Sequence, residues 1–225
     1  MKHKRFKSIF LAALFLLSAS PLIAIINDNG DWQLWNYNRF YDDLNDKFGI
    51  MFEEEFRIGD DISKLFYQHT AVGFYYYIYD WMYILPAYRQ IFVRDATVNV
   101  WHPIYMPYLD IKFLKDGEKW KFRNRSRFEY RIIDIPGAKD RFVYRNMTKY
   151  VLPFEFTRFK IQPYIAEEFF ITTFNGFDQN RVSAGLEIPF LKEFFMDIYY
   201  RLRSVKPINK WKHQNIIGVN FVIDF

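Results

Sequence analysis

Gln214-Asn-Ile-Ile-Gly-Val-Asn-Phe-Val-Ile-Asp-Phe225 is the stretch on which the fold is read. Counted back from its last residue, Phe225, Ile223, Phe221, Val219 and Ile217 are all apolar. Between them stand Asp224, Val222, Asn220, Gly218 and Ile216, which are polar, small or mixed. A period of two means a β-strand that shows one face to an apolar medium.

A strand of this kind ending on an aromatic resembles the closing strand of bacterial outer-membrane β-barrels, and the bulk composition agrees. Aromatic residues make up 22% of the 225, with 26 Phe and 17 Tyr. Aromatics favour strands and collect at membrane interfaces. Mean hydropathy is nevertheless slightly negative, as expected when lipid-facing and lumen-facing residues alternate and cancel. The chain has no cysteine, which excludes disulfides and thiolate metal sites.

The formal charge of +5 owes four cations to Lys2, Lys4, Arg5 and Lys7. The remaining chain is near neutral, so the pI of about 9.1 gives no reason to expect a nucleic-acid partner. Those cations precede a short apolar run, Ser8 to Ala19, and then Pro21-Leu-Ile-Ala24. That is the pattern of a secretory signal peptide, residues 1–24, and the run is short for a membrane-spanning helix. Residues 25–225 are expected to form one domain.

Along that domain, about eleven strand candidates are separated by turn signals at hairpin spacing. Asp31–Tyr41 carries Trp35, Tyr37 and Tyr41 on one face. Phe48–Ile58 sets Glu53, Glu55 and Arg57 against Ile50, Phe52, Phe56 and Ile58. Phe66–Tyr79 and Tyr83–Arg94 flank a tight turn at Asp80-Trp81. Val98–Leu114 is interrupted by Pro103 and Pro107. Lys121–Ile132 alternates most cleanly, with Arg123, Arg125, Arg127, Glu129 and Arg131 on one face. Arg145 lies in Arg141–Val151, and Glu168 in Phe159–Thr172. Arg181 and Glu187 share a face of the next strand, and Asp197, Arg201 and Arg203 share a face of the one after.

A sheet with one apolar face must bury it, and an outer-membrane barrel does so by turning aromatics to lipid and charges to the lumen. In lipid every backbone polar group needs a partner, so the sheet must close. The reading is therefore an all-β, transmembrane, antiparallel up-and-down barrel. Such barrels have an even strand count with both termini on the periplasmic side. Eleven candidates then resolve to ten, if Asp31–Tyr41 does not span, or to twelve, if Val98–Leu114 holds two strands; twelve is favoured.

The fifteen charged residues named above from Glu53 to Arg203 would fill the lumen as paired salt bridges. The alternative is a narrow polar pore, biased toward anions by the Arg123–Arg131 row. A lipid-modifying enzyme is the third class, but His69, His102 and His213 sit in no motif with a serine, and none is expected. Adjacent carboxylates in Glu53-Glu-Glu55 point to opposite faces of a strand and make a poor chelate. No cofactor or metal is expected. Ile217, Val219, Phe221, Ile223 and Phe225 would be the assembly signal. Expected partners are outer-membrane lipid and the barrel-assembly machinery, and the barrel is expected to be a monomer.

The spacing also resembles a bacterial family called domain of unknown function 2490 (DUF2490). The shared features are Trp35, Glu53-Glu-Glu-Phe-Arg57, Tyr88-Arg-Gln90 and Arg125-Ser-Arg-Phe-Glu-Tyr-Arg131. Glu168-Phe-Phe170 and Asn180-Arg-Val-Ser-Ala-Gly-Leu186 complete the set. The sequence has Ala87-Tyr-Arg89 where Gly-Tyr-Arg is usual. The resemblance implies an outer-membrane barrel and carries no assigned activity, so it transfers no catalytic residue.

Overall fold

A computed structural model describes residues 29–95, 99–135, 137–191, 193–207 and 210–225. The proposed signal segment, residues 1–24, lies outside the described residues. The described residues form a closed barrel of eleven strands. In chain order they are β1 (Trp32–Asp43), β2 (Phe48–Gly59), β3 (Lys64–Tyr79), β4 (Met82–Arg94) and β5 (Trp101–Asp116). Then come β6 (Lys121–Ile133), β7 (Arg141–Val151), β8 (Gln162–Thr172), β9 (Gly176–Leu191), β10 (Phe194–Val205) and β11 (Lys212–Asp224).

The even count is wrong, because both of its premises fail. The first strand does take part, pairing with β2 and with β11. The proline-bearing stretch forms the single strand β5. Pairing with β4 runs straight through Pro103 and Pro107. On the β6 side the ladder passes from Tyr105–Ile132 to Tyr108–Glu129 without changing register. A proline that lacks its N–H where a ladder bond is skipped does not end a strand. The eighth strand also starts later than expected, at Gln162, after a lone bridge between Phe156 and Ile161.

An odd number of strands in a closed up-and-down barrel forces one parallel seam. β1 and β11 close the barrel in parallel, from Trp32 beside Asn215 to Tyr41 beside Asp224. The start of β1 and the end of β11 therefore lie at opposite rims, not at one. We call them the N-rim and the C-rim.

Burial alternates along the strands. Glu53 on β2 is 1% exposed, while its neighbour Phe52 is 36% exposed. The aromatic residues do not all face outward. Trp35, Tyr67, Tyr75, Tyr83, Tyr108, Tyr164 and Tyr199 are buried inside the barrel, whereas most phenylalanines among the exposed residues look out. Some of these tyrosines find a hydroxyl partner inside, which suits a polar tip. Tyr75 donates to Asp43 (2.7 Å), and Tyr67 is 2.9 Å from the His69 ring. On β11, Ile217 is exposed while Gln214, Ile216 and Val222 are buried, and Phe225 just beyond it is exposed too.

The outer face is not uniformly apolar. Asn124, Ser126, Asn146 and Thr148, on β6 and β7, hydrogen-bond to one another at 2.9–3.1 Å. Glu54, Thr70 and Gln90 form a second polar row, in register across β2, β3 and β4.

Candidate functional site

The interior face carries the fifteen charged residues expected there, each at the strand position its alternation assigns. Most of them meet in a buried belt across the middle of the barrel. Arg127, 2% exposed, grips Asp110 with two bonds, Nε to Oδ1 at 2.5 Å and Nη2 to Oδ2 at 2.8 Å. Glu129 accepts from Arg131 (2.6 Å) and Arg145 (2.7 Å). Glu168 is a three-way hub for Arg125 (2.5 Å), Arg145 (2.6 Å) and Arg181 (2.9 Å). Glu55 holds Arg57 through both oxygens, at 2.9 and 2.8 Å. Bidentate guanidinium–carboxylate pairs are the geometry in which buried charge is best compensated.

Four members of the belt were not assigned to the lumen from the sequence: Arg39, Arg89, Asp110 and His69. Glu53 accepts from Arg89 and from the Tyr37 hydroxyl, and lies 3.4 Å from Arg39 Nε and 3.1 Å from His69 Nε2. The other His69 nitrogen lies 3.3 Å from Glu55, so the ring bridges two glutamates. Trp35 is fully buried below the belt with the Arg57 guanidinium 3.8 Å from its ring centroid, a cation–π contact. Its indole donates to Gln33 (2.9 Å), which donates to Asp31 (2.8 Å).

Five of the expected residues stand apart from the belt. Arg123 sits near the C-rim and pairs with Asp116. Arg203 lies on the N-rim side and donates to Gln214 (3.0 Å). Arg201 donates to the Ser183 hydroxyl (2.8 Å). Glu187 and Asp197 hold Lys149 at 3.1 and 2.9 Å, above the belt.

Above the belt is a cavity of about 420 Å³. Its lining runs from Asp224, Lys121 and Arg123 at the C-rim down to Arg57, Arg127 and Arg181. Residues on the far side, such as Gln33, Arg131 and Gln214, are not part of it. The interior is thus a vestibule open toward one rim, with a floor of paired charges.

A serine–histidine contact does occur, but elsewhere. Ser204 Oγ and His213 Nδ1 are 2.9 Å apart across the β10–β11 hairpin near the N-rim. Among the described residues no carboxylate pairs with His213, so this is a cross-strand pair and not a triad. Among the same residues, no group of three His, Asp or Glu side chains is placed to hold a metal ion.

A family model described as "Protein of unknown function (DUF2490)" matches residues 32–214, from the first residue of β1 into β11. The chain belongs to this family. Every charged residue of the belt in this DUF2490 barrel falls inside the matched range. No curated protein matches the chain.

Proposed function

We propose that this DUF2490 protein is a bacterial outer-membrane barrel whose lumen is plugged by buried ion pairs. The observation that carries the reading is the inversion of the sheet's two faces. Val72, Phe74, Phe128, Phe142, Ile165 and Val182 all point outward with 49–67% of their surface exposed, while Arg127, Glu129 and Asp110 are sealed inside. A water-soluble barrel spreads charge outward, and contiguous exposed apolar surface on this scale marks contact with a partner or a membrane.

Tryptophan placement supports the same reading. Trp32, Trp101 and Trp211 lie at the N-rim, and Trp81 and Trp120 at the C-rim. Two aromatic girdles flanking an apolar band are what a bilayer selects. The basic and apolar start of the sequence supplies export. The outward ridge of β11, from Ile217 to Phe225, supplies what barrel-assembly machinery would read.

The belt makes the barrel a closed one. In planar bilayers the purified protein is expected to form no stable channel. Arg127→Ala, which removes the guanidinium between Asp110 and the floor of the vestibule, is expected to admit small ions. Steady ohmic channels from the unaltered protein would contradict the plug and favour the narrow pore.

A further inference from the structure

The vestibule is more positive than its own pairing requires. Twelve Arg and Lys side chains line it against five Asp and Glu. Glu53, Asp110, Asp116 and Glu129, outside the lining itself, pair with lining cations. They bring the carboxylates to nine, still fewer than twelve. Two lining cations have no carboxylate within salt-bridge distance among the described residues. Lys112, 8% exposed, donates only to the hydroxyls of Tyr41 (3.2 Å) and Tyr83 (3.0 Å). Arg201 donates to Ser183 and lies over the Tyr199 ring, 4.5 Å from its centroid, with no carboxylate. Three buried lining arginines, Arg89, Arg125 and Arg181, also keep an Nε–H without an acceptor. Burying uncompensated cations and donors is costly unless something anionic meets them.

The geometry points to a binding site for a small organic anion that enters from the C-rim. Its carboxylate or phosphate groups meet Lys112 and Arg201, and its body packs on the ring wall of Tyr41, Tyr75, Tyr77 and Tyr83. The volume lies within the roughly 300–1,000 Å³ of small-molecule sites. Arginine forks suit carboxylate and phosphate alike. The site needs no membrane and is testable in the detergent-folded chain.

The test follows tryptophan emission, because Trp35 lies under the arginine floor, against phenyl phosphate, tricarballylate, inorganic phosphate and the neutral control phenol. At least one organic anion is expected to saturate, with phenol inert. Lys112→Met and Arg201→Met are each expected to weaken it by about tenfold or more. Neither change orphans a buried carboxylate, so both variants are expected to fold. Lys64→Met, at the β2–β3 turn, is the control that leaves binding unchanged. Should either vestibule variant fail to fold, competition by sulfate on the unaltered protein reads the same site. Equal response to phenol, or no saturation by any anion at millimolar concentration, would overturn the proposal. Saturation by inorganic phosphate alone would assign a free-ion site and overturn the organic ligand.

The outer polar row carries a second inference, which rests on the membrane reading. Glu54, Thr70 and Gln90 have no side-chain hydrogen-bond partner among the described residues, unlike the self-satisfied group around Asn124 and Asn146. In hydrocarbon, unmet polar groups are expensive. The row is self-complementary about Thr70. A two-fold axis along the membrane normal sets each Glu54 carboxylate against the Gln90 amide of a second copy, with the two Thr70 hydroxyls meeting between. Exposed Val72 and Phe74, on the same face of β3, add apolar contact. We infer that this face joins two copies of the chain, in place of the monomer expected from the sequence.

The chain has no cysteine, so Thr70→Cys gives a single thiol at the proposed axis. Oxidation in membranes is expected to yield a species of twice the chain's mass, whereas Ser126→Cys, three strands away, is expected to stay monomeric. No excess of cross-linked Thr70→Cys over Ser126→Cys in alkali-resistant membranes would overturn the dimer. Loss of the chain from those membranes on alkali extraction would instead overturn the membrane reading on which the dimer rests.

Discussion

Glu168→Ala is expected to destabilise the folded barrel by about 3–5 kcal/mol, the scale for removing one partner of a buried charge cluster. Glu168 is 5% exposed and is shared by Arg125, Arg145 and Arg181. Its loss leaves three guanidiniums facing one another around an empty site, and of the three only Arg145 keeps a carboxylate, Glu129. The adjacent Glu167 is the internal control. It points outward and bonds only Asn180, at 2.8 Å. Glu167→Ala is therefore expected to shift stability by no more than about 0.5 kcal/mol, as at most surface sites. Urea unfolding of both variants in one detergent reads the difference at constant slope. Equal shifts would mean that the belt does not hold the interior together.

The size of that effect is not evidence that the belt was the most stable way to fill the barrel. Well-packed apolar residues in place of a whole ion cluster are often neutral or stabilising. What the belt does supply is a floor that is both closed and charged, and the vestibule inherits its excess of cations from it.

The parts of this molecule that were legible in its sequence are those where alternation is strict. β6 reads directly, because Arg123 to Arg131 share one face and Phe122, Phe128 and Tyr130 the other. β11 reads in the same way. β5 was obscured by Pro103 and Pro107, whose cost depends on which ladder bonds are skipped, and only the paired structure reveals that. The parallel seam follows from the strand count, so it was hidden by the same error. Arg89 was masked by apolar neighbours on its own face, Leu85, Ala87 and Ile91, because the interior of β4 is mixed. Asp110 and Lys112 share a face with Tyr108 and went unread along with the rest of β5. Arg39 shares the face of Trp35, Tyr37 and Tyr41, which looked like an apolar face. Tyrosine serves either side of such a sheet, so its presence on a face does not say which medium that face meets.

Everything proposed about compartment depends on which face of the sheet meets hydrocarbon. Adjacent methyl-bearing residues on opposite faces test this without mutation. Ile216 is fully buried and Ile217 is 40% exposed. Val143 and Val151 are 2% and 1% exposed, against 54% and 55% for Val72 and Val182. Methyl-labelled protein in lipid nanodiscs containing a nitroxide on the acyl chain is the direct measurement. Broadening is expected for Ile217, Val72 and Val182, with Ile216, Val143 and Val151 remaining sharp. Equal broadening of Ile216 and Ile217, or no broadening of any outward methyl, would contradict the account.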